Sequence, residues 1–327
     1  MRFRCLFLLG LAISSCSDKG NTNVEVISVP SHFTLPSYPK ENLPSHEKIE
    51  LGKKLFFDNQ LSKNNNISCA TCHQPEFAFT DQKELSTGTN DSLGFRNTPS
   101  IINVAYKTIF HMDGGVRTLE LQVLAPIIDT NELGGDFNQI LTYLNTNSEY
   151  LKLFKSAFDT TPTIYGLTRS IASYERSLIQ GNSAYDHFIN GDSTALSISQ
   201  KNGLALFSSE RLNCTACHSG NNLTNYSFEN IGLEHQLIDS GRARITYKTI
   251  DAGKFMVPSL RNVAITNPYM HNGSFSTLEE VIIYLAQGGG SHPNKSSLVK
   301  PFSLTQSERK DLTHFLEALT DSIYSLK

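Results

Sequence analysis

Two pentapeptides, Cys69-Ala70-Thr71-Cys72-His73 and Cys214-Thr215-Ala216-Cys217-His218, constrain this chain more than any other feature. Two thiols three positions apart can form thioethers to the two vinyl groups of one porphyrin, and the next residue sets an imidazole under the iron. The pattern predicts two covalently attached c-type haems, with His73 and His218 as proximal ligands. Paired cysteines serve two other chemistries, a single zinc ion shared by four thiolates and a pair of redox-active dithiols. Neither needs a histidine directly after both pairs. Of the six cysteines, the remaining two, Cys5 and Cys16, fall near the N-terminus, so no thiol is left for a disulfide framework.

Arg2 and Arg4, followed by a short apolar run from Cys5 to Ile13, have the layout of a secretory signal that is too short to span a bilayer. The run closes on Ile13-Ser14-Ser15-Cys16, like a bacterial lipobox, so residues 1–16 are expected to be a lipoprotein signal with Cys16 carrying the lipid. Ordinary cleavage, with Cys16 incidental, is the plainer alternative. The polar stretch from Ser17 to Gly20, with Pro30, Pro36, Pro39 and Pro44 beyond it, predicts a flexible tether over 17–45. The expectation is a lipid-anchored protein on the periplasmic side of a bacterial membrane. A formal charge of -3 offers no basic field for nucleic acid.

The haem motifs lie within a longer internal repeat. Leu51 to Phe57 (LGKKLFF) ahead of the first parallels Asn202 to Phe207 (NGLALF) ahead of the second, and Pro99 to Ala105 aligns with Pro258 to Ala264 at a constant offset of 159. Because the motif cysteines are offset by only 145, the connection that follows the second motif is 14 residues longer. Helical stripes appear at Leu167, Ile171, Tyr174 and Leu178, and again at Leu312, Phe315, Leu316, Leu319 and Ile323. Thr277 with Glu280 forms a capping box and Gly288 a stop, predicting a helix over 278–287. Residues 219–256, rich in Gly, Asn and Ser, read as long loops with a short hairpin. The fold class is mainly all-α, two c-type cytochrome domains related by duplication, over 46–190 and 191–327.

These strings, together with Arg96 to Ala105 (RNTPSIINVA), Val257 to Phe275 (VPSLRNVAITNPYMHNGSF) and Thr277 to Ile282 (TLEEVI), resemble the bacterial di-haem cytochrome c peroxidases and the related MauG-type proteins over residues 45 to 325. The resemblance implies a periplasmic enzyme that reduces hydrogen peroxide to water. Electrons would come from a small cytochrome c or a copper protein, entering at the C-terminal haem (His218) and passing to the N-terminal, peroxidatic haem (His73). Glu132 would then move the proton between the peroxide oxygens, and Gln122 would orient the peroxide. Taken by themselves, the two read as a solvated loop Glu and a helix-surface Gln. A calcium ion would sit between the haems on Asn97, Thr266 and Pro268, which as bare sequence only shape turns. Family members often form homodimers.

The chain departs from the family pattern in three places. The histidine that in many members blocks the peroxide iron is missing from the Asp81 to Asn97 loop, where Thr89 occupies about that position, which implies an iron open in the oxidised protein; His111 could reach it only by rearrangement. Leu285 stands where the C-terminal haem's distal Met or Tyr is expected, leaving Tyr284, Met256 or Met270 as alternatives. There is no tryptophan, and Met112 takes the place of the aromatic residue between the haems. His271, its repeat counterpart, reads equally as an inter-haem group or a structural hydrogen bonder. A MauG-like oxidase acting on a protein or small organic substrate, and a non-catalytic di-haem electron carrier, are the alternatives to the peroxidase.

Overall fold

The structure, a computed structural model, describes residues 26–234 and 238–321. Cys16 and the expected signal lie outside the described residues. The helices are α1 (His46–Phe56), α2 (Cys69–Cys72), α3 (Leu119–Ile128), α4 (Phe137–Thr146), α5 (Ser148–Phe158), α6 (Ile164–Ser177), α7 (Ala184–Ile189), α8 (Ile198–Phe207), α9 (Ala243–Thr246), α10 (Leu278–Ala286) and α11 (Gln306–Glu317). Two separate hydrophobic cores hold them, one drawn from residues 51–178 and the other from 207–319. The fold is mainly helical, with two cytochrome c-type halves.

Each half is built on one helix crossing. α1 packs on α6 and α8 on α11, and both crossings are made close by a glycine. A Cβ on Gly52 would stand 1.9 Å from Ser170 O, and one on Gly203 2.0 Å from Asp311 O, so only glycine lets these backbones meet. Leu167, Ile171, Tyr174 and Leu178 of the predicted stripes are buried, as are Leu312, Phe315, Leu316 and Leu319, while Ile323 lies outside the described residues. Thr277 and Glu280 cap α10 reciprocally, and Gly288 follows that helix with a φ of 87°.

The repeat is visible in the backbone. Asn103 and Asn262 both adopt φ 58° and donate their N–H groups to Leu178 O and Leu319 O, while the tight turns beyond them pair Phe110 with Val116 and Tyr269 with Phe275. The longer second connection carries α9 and a two-residue antiparallel ribbon, β1 (Phe228–Glu229) and β2 (Phe255–Met256).

Residues 26–45, expected as part of the tether, instead lie against the body. Ile27, Phe33 and Asn42 are buried, and His32 Nε2 is 2.9 Å from Asp186 Oδ1, a carboxylate that also takes two hydrogen bonds from Arg261. Asn42 Nδ2 donates to Glu120 Oε1 at 2.7 Å, next to the buried Glu120–Arg176 ion pair. The prolines that suggested a tether prevent regular helix here without preventing contact.

Candidate haem sites and the junction between them

α2 runs from Cys69 to Cys72 with His73 as its C-cap, so this one turn and its cap carry both thiols and the imidazole. His73 Nδ1–H donates to Phe79 O at 2.9 Å, and His218 Nδ1–H donates to Leu223 O at 3.0 Å. The same carbonyl anchor in both halves fixes the tautomer and leaves each Nε2 lone pair available to a metal. Burial lowers the pKa of both rings, which favours the neutral, ligating form. The same burial raises all four thiols, Cys72 and Cys214 to about 11. Such thiols are poor nucleophiles, which argues against redox dithiols. Cys69 packs against the first core and Cys214 against the second, so the two thiol pairs belong to separate halves and do not form one four-thiolate zinc site. Paired thiols, a pre-oriented neutral imidazole and unpartnered polar atoms nearby fit covalent haem.

The surroundings of the first motif are polar in a specific way. Thr89, expected at about the position of the family's blocking histidine, is buried; its Oγ1 has no hydrogen-bond partner, and its N–H donates to Glu132 O at 2.7 Å. Glu132 lies on the turn after α3. The residue is exposed to solvent, but the neighbouring protein crowds its carboxyl and pushes the pKa up to about 7, first by desolvation and then through Asp129. Its charge is felt at both Cys69 and Cys72, so the carboxyl stands within electrostatic reach of the first haem-attachment turn. Gln122 sits on α3 ahead of that turn with a buried, unpartnered Oε1. Sequence reasoning missed Glu175 on α6, a buried carboxyl raised to about 8 by desolvation and close enough to raise Cys69.

The two halves meet through reciprocal contacts. Asn97 N–H donates to His271 O at 2.8 Å, and Met256 N–H donates to Met112 O at 2.7 Å. These pairs are exchanged by the 159-residue repeat, as are Arg96 and Phe255. The Arg96 guanidinium lies 5.3 Å from the Phe255 ring centroid, and the His271 ring stacks on Phe255 at 3.8 Å. Around this stack Arg96 pairs with Asp239 at 2.6 Å and Asp113 at 2.9 Å, and Arg244 reaches Asp113 at 2.5 Å. His271 Nε2 is 3.3 Å from Glu234 Oε1, an ion-pair distance whose angle does not make a hydrogen bond. Met112 and His271 thus both touch the junction through their backbones, and His271 through its ring as well. The Arg96 and Phe255 partnership was missed, although carrying the repeat alignment back from Pro99 and Pro258 pairs these positions.

Asn97 is buried and its Nδ2 donates to Lys83 O at 2.7 Å. Gln82 Nε2 approaches Ile265 O and Asn267 Oδ1, both at 3.4 Å, so that loop faces the Thr266 to Pro268 turn. Leu285 is half-buried on α10, and Tyr284 Oη donates to Ile231 O at 3.2 Å. Met256 is buried in β2, while His111 and Met270 hold matching left-handed turn positions, φ 65° and 77°.

A duplicated helical body with two cysteine-histidine attachment turns defines a two-haem c-type cytochrome. A sequence model of di-haem cytochrome c peroxidase matches residues 46–194, and one of cytochrome c matches 200–320. The methylamine utilization protein MauG of Methylorubrum extorquens is 33% identical over 94% of this chain and 90% of its own length. Cytochrome-c peroxidase IdrP1 of Pseudomonas sp. strain SCT is 35% identical over 97% and 92%. A crystal structure of a MauG-like protein associated with microbial copper homeostasis has a TM-score of 0.86 at 31% identity, covering 90% of this chain and 95% of that one. The chain belongs to the di-haem cytochrome c peroxidase and MauG family. It is a haem-peroxidase-type oxidoreductase with two haem c groups.

Proposed function

We propose that the protein reduces hydrogen peroxide to water at the N-terminal haem, on His73, with electrons from a small cytochrome c or copper protein that enter at the C-terminal haem, on His218. The observation that carries this reading is Glu132, a carboxyl raised to about 7 within reach of the first attachment turn. Bound haem supplies an iron that accepts peroxide and stores its oxidising equivalents. Glu132 takes the proton from one peroxide oxygen and returns it to the other, and a pKa near neutrality suits both halves of that task. Gln122, with its carbonyl oxygen unpartnered, orients the peroxide. Thr89 at the position of the blocking histidine leaves the site open without prior reduction. Relatives named MauG favour a second reading, an oxidase acting on an organic or protein substrate.

The same proposal holds the protein on the periplasmic side of the membrane through a lipid on Cys16, and places calcium on Asn97, Thr266 and Pro268. Among the described residues no helix is long and apolar enough to cross a membrane. The test of function is peroxide-dependent oxidation of reduced cytochrome c: Glu132→Gln should lower kcat/KM by on the order of 10²- to 10⁴-fold. An undiminished rate in that variant removes Glu132 from the chemistry.

A further inference from the structure

We infer that Tyr143, Asp58 and Tyr150 form a redox-active tyrosine site at the surface of the N-terminal half, where a small electron-rich aromatic molecule, a phenol, is oxidised by one electron. The inference rests on the peroxidase reading, which supplies the oxidant, hydrogen peroxide.

Tyr150 is buried on α5, and its hydroxyl donates to Asp58 Oδ2 at 2.5 Å. Tyr143 on α4 donates to the same oxygen at 3.1 Å, and the two rings meet edge to face at 5.8 Å. One carboxylate oxygen thus serves two phenols, more than holding the turn requires, since Asp58 already receives the Gln60 N–H on its other oxygen. Lys54 Nζ lies 5.4 Å from the centre of the Tyr150 ring. That ammonium is itself paired with Glu149 at 2.9 Å and adds little net charge. A phenol radical cation is a very strong acid, so an electron leaves Tyr150 only as its proton leaves, and Asp58 is the acceptor in place.

Aromatic side chains continue inward from this pair. Phe57 lines the same cleft as Tyr150 and lies 6.3 Å from Tyr174, which is 5.2 Å from Phe56; that ring is 6.4 Å from the His73 imidazole. Outward, Tyr143 and Asn147 stand at a cleft of about 570 Å³, room enough for a small aromatic ring.

Tyr150 gives an electron to the peroxide-derived oxidant and its phenolic proton to Asp58, leaving a neutral tyrosyl and a carboxylic acid. The tyrosyl exchanges with Tyr143, a phenol in the cleft gives that residue a hydrogen atom, and Asp58 releases its proton towards the water formed from peroxide. Two such cycles convert one peroxide and two phenols into two waters and two phenoxyl radicals.

The test is freeze-quench electron paramagnetic resonance of the di-haem holoprotein mixed with peroxide and no electron donor, with peroxide consumption followed in parallel. A tyrosyl signal is expected that disappears in Tyr150→Phe and forms on the order of 10²-fold more slowly in Asp58→Asn, per peroxide consumed. Guaiacol, added as the probe, should quench the signal and be oxidised, and Tyr143→Phe should weaken both effects. Thermal unfolding of each variant separates loss of the radical from loss of the fold, and Asp58→Asn, which keeps size and polarity, serves if Tyr150→Phe unfolds. Peroxide consumed with no tyrosyl, or a tyrosyl indifferent to both Tyr150→Phe and Asp58→Asn, overturns the site alone. Peroxide left unconsumed overturns the peroxidase reading, and the site falls with it.

Discussion

At the residue scale, Glu132 and Thr89 decide how the N-terminal haem site meets peroxide. Because desolvation and Asp129 raise the Glu132 carboxyl to about 7, it is protonated below that pH and ionised above it. Only the ionised form can take a proton from peroxide, so kcat/KM should rise with pH through about 7 and level off above. Glu132→Gln should flatten that limb, which a pH–rate profile of cytochrome oxidation reads directly. Thr89→His, which restores the family's histidine, should close the N-terminal iron in the oxidised protein, so that activity appears only after pre-reduction and the absorption spectrum turns low-spin. The haem cysteines and histidines were legible in the sequence because covalent attachment fixes their spacing. Glu132 and Gln122 were not legible by themselves, since a loop Glu and a helix Gln carry no local signature; only the family resemblance singled them out. Glu175 escaped notice because burial, the property that matters, belongs to the folded α6.

At the scale of elements, the α1–α6 and α8–α11 crossings decide stability. In an exposed helix Gly→Ala adds up to about 1 kcal/mol of stability. At Gly52 and Gly203 the sign reverses, because the new methyl would fall on a backbone carbonyl 1.9 to 2.0 Å away. Each substitution should cost about 1–3 kcal/mol, read as a lower denaturant midpoint at unchanged slope. The stripes that bury α6 and α11 were readable from their helical period, and the α10 capping box from its spacing. Residues 26–45 were misread because proline and polar content report the lack of regular structure, whereas Ile27 and Phe33 pack without it. α9 gave no period to read, being a single turn between Gly241 and Tyr247.

At the scale of the molecule, the two halves are joined by backbone hydrogen bonds exchanged across the repeat and by the Arg96, Asp113, Asp239 and Arg244 charges around the Phe255–His271 stack. Arg96→Met strands Asp239 and leaves Asp113 to Arg244 alone. Buried carboxylates losing their partner should cost roughly 3 kcal/mol, seen as a lower unfolding midpoint. The duplication was plain from the repeat, but this junction was not, because its ion pairs join residues up to 143 positions apart. Peroxide reduction is tested most directly by peroxide-dependent oxidation of reduced cytochrome c by the fully oxidised di-haem protein, beside a pre-reduced sample and Glu132→Gln. Equal activity in the oxidised and pre-reduced samples, lost in the variant, is the predicted result. Inactivity of both wild-type samples, with the haem spectra still altered by peroxide, would contradict the peroxidase account and favour an oxidase of the MauG type.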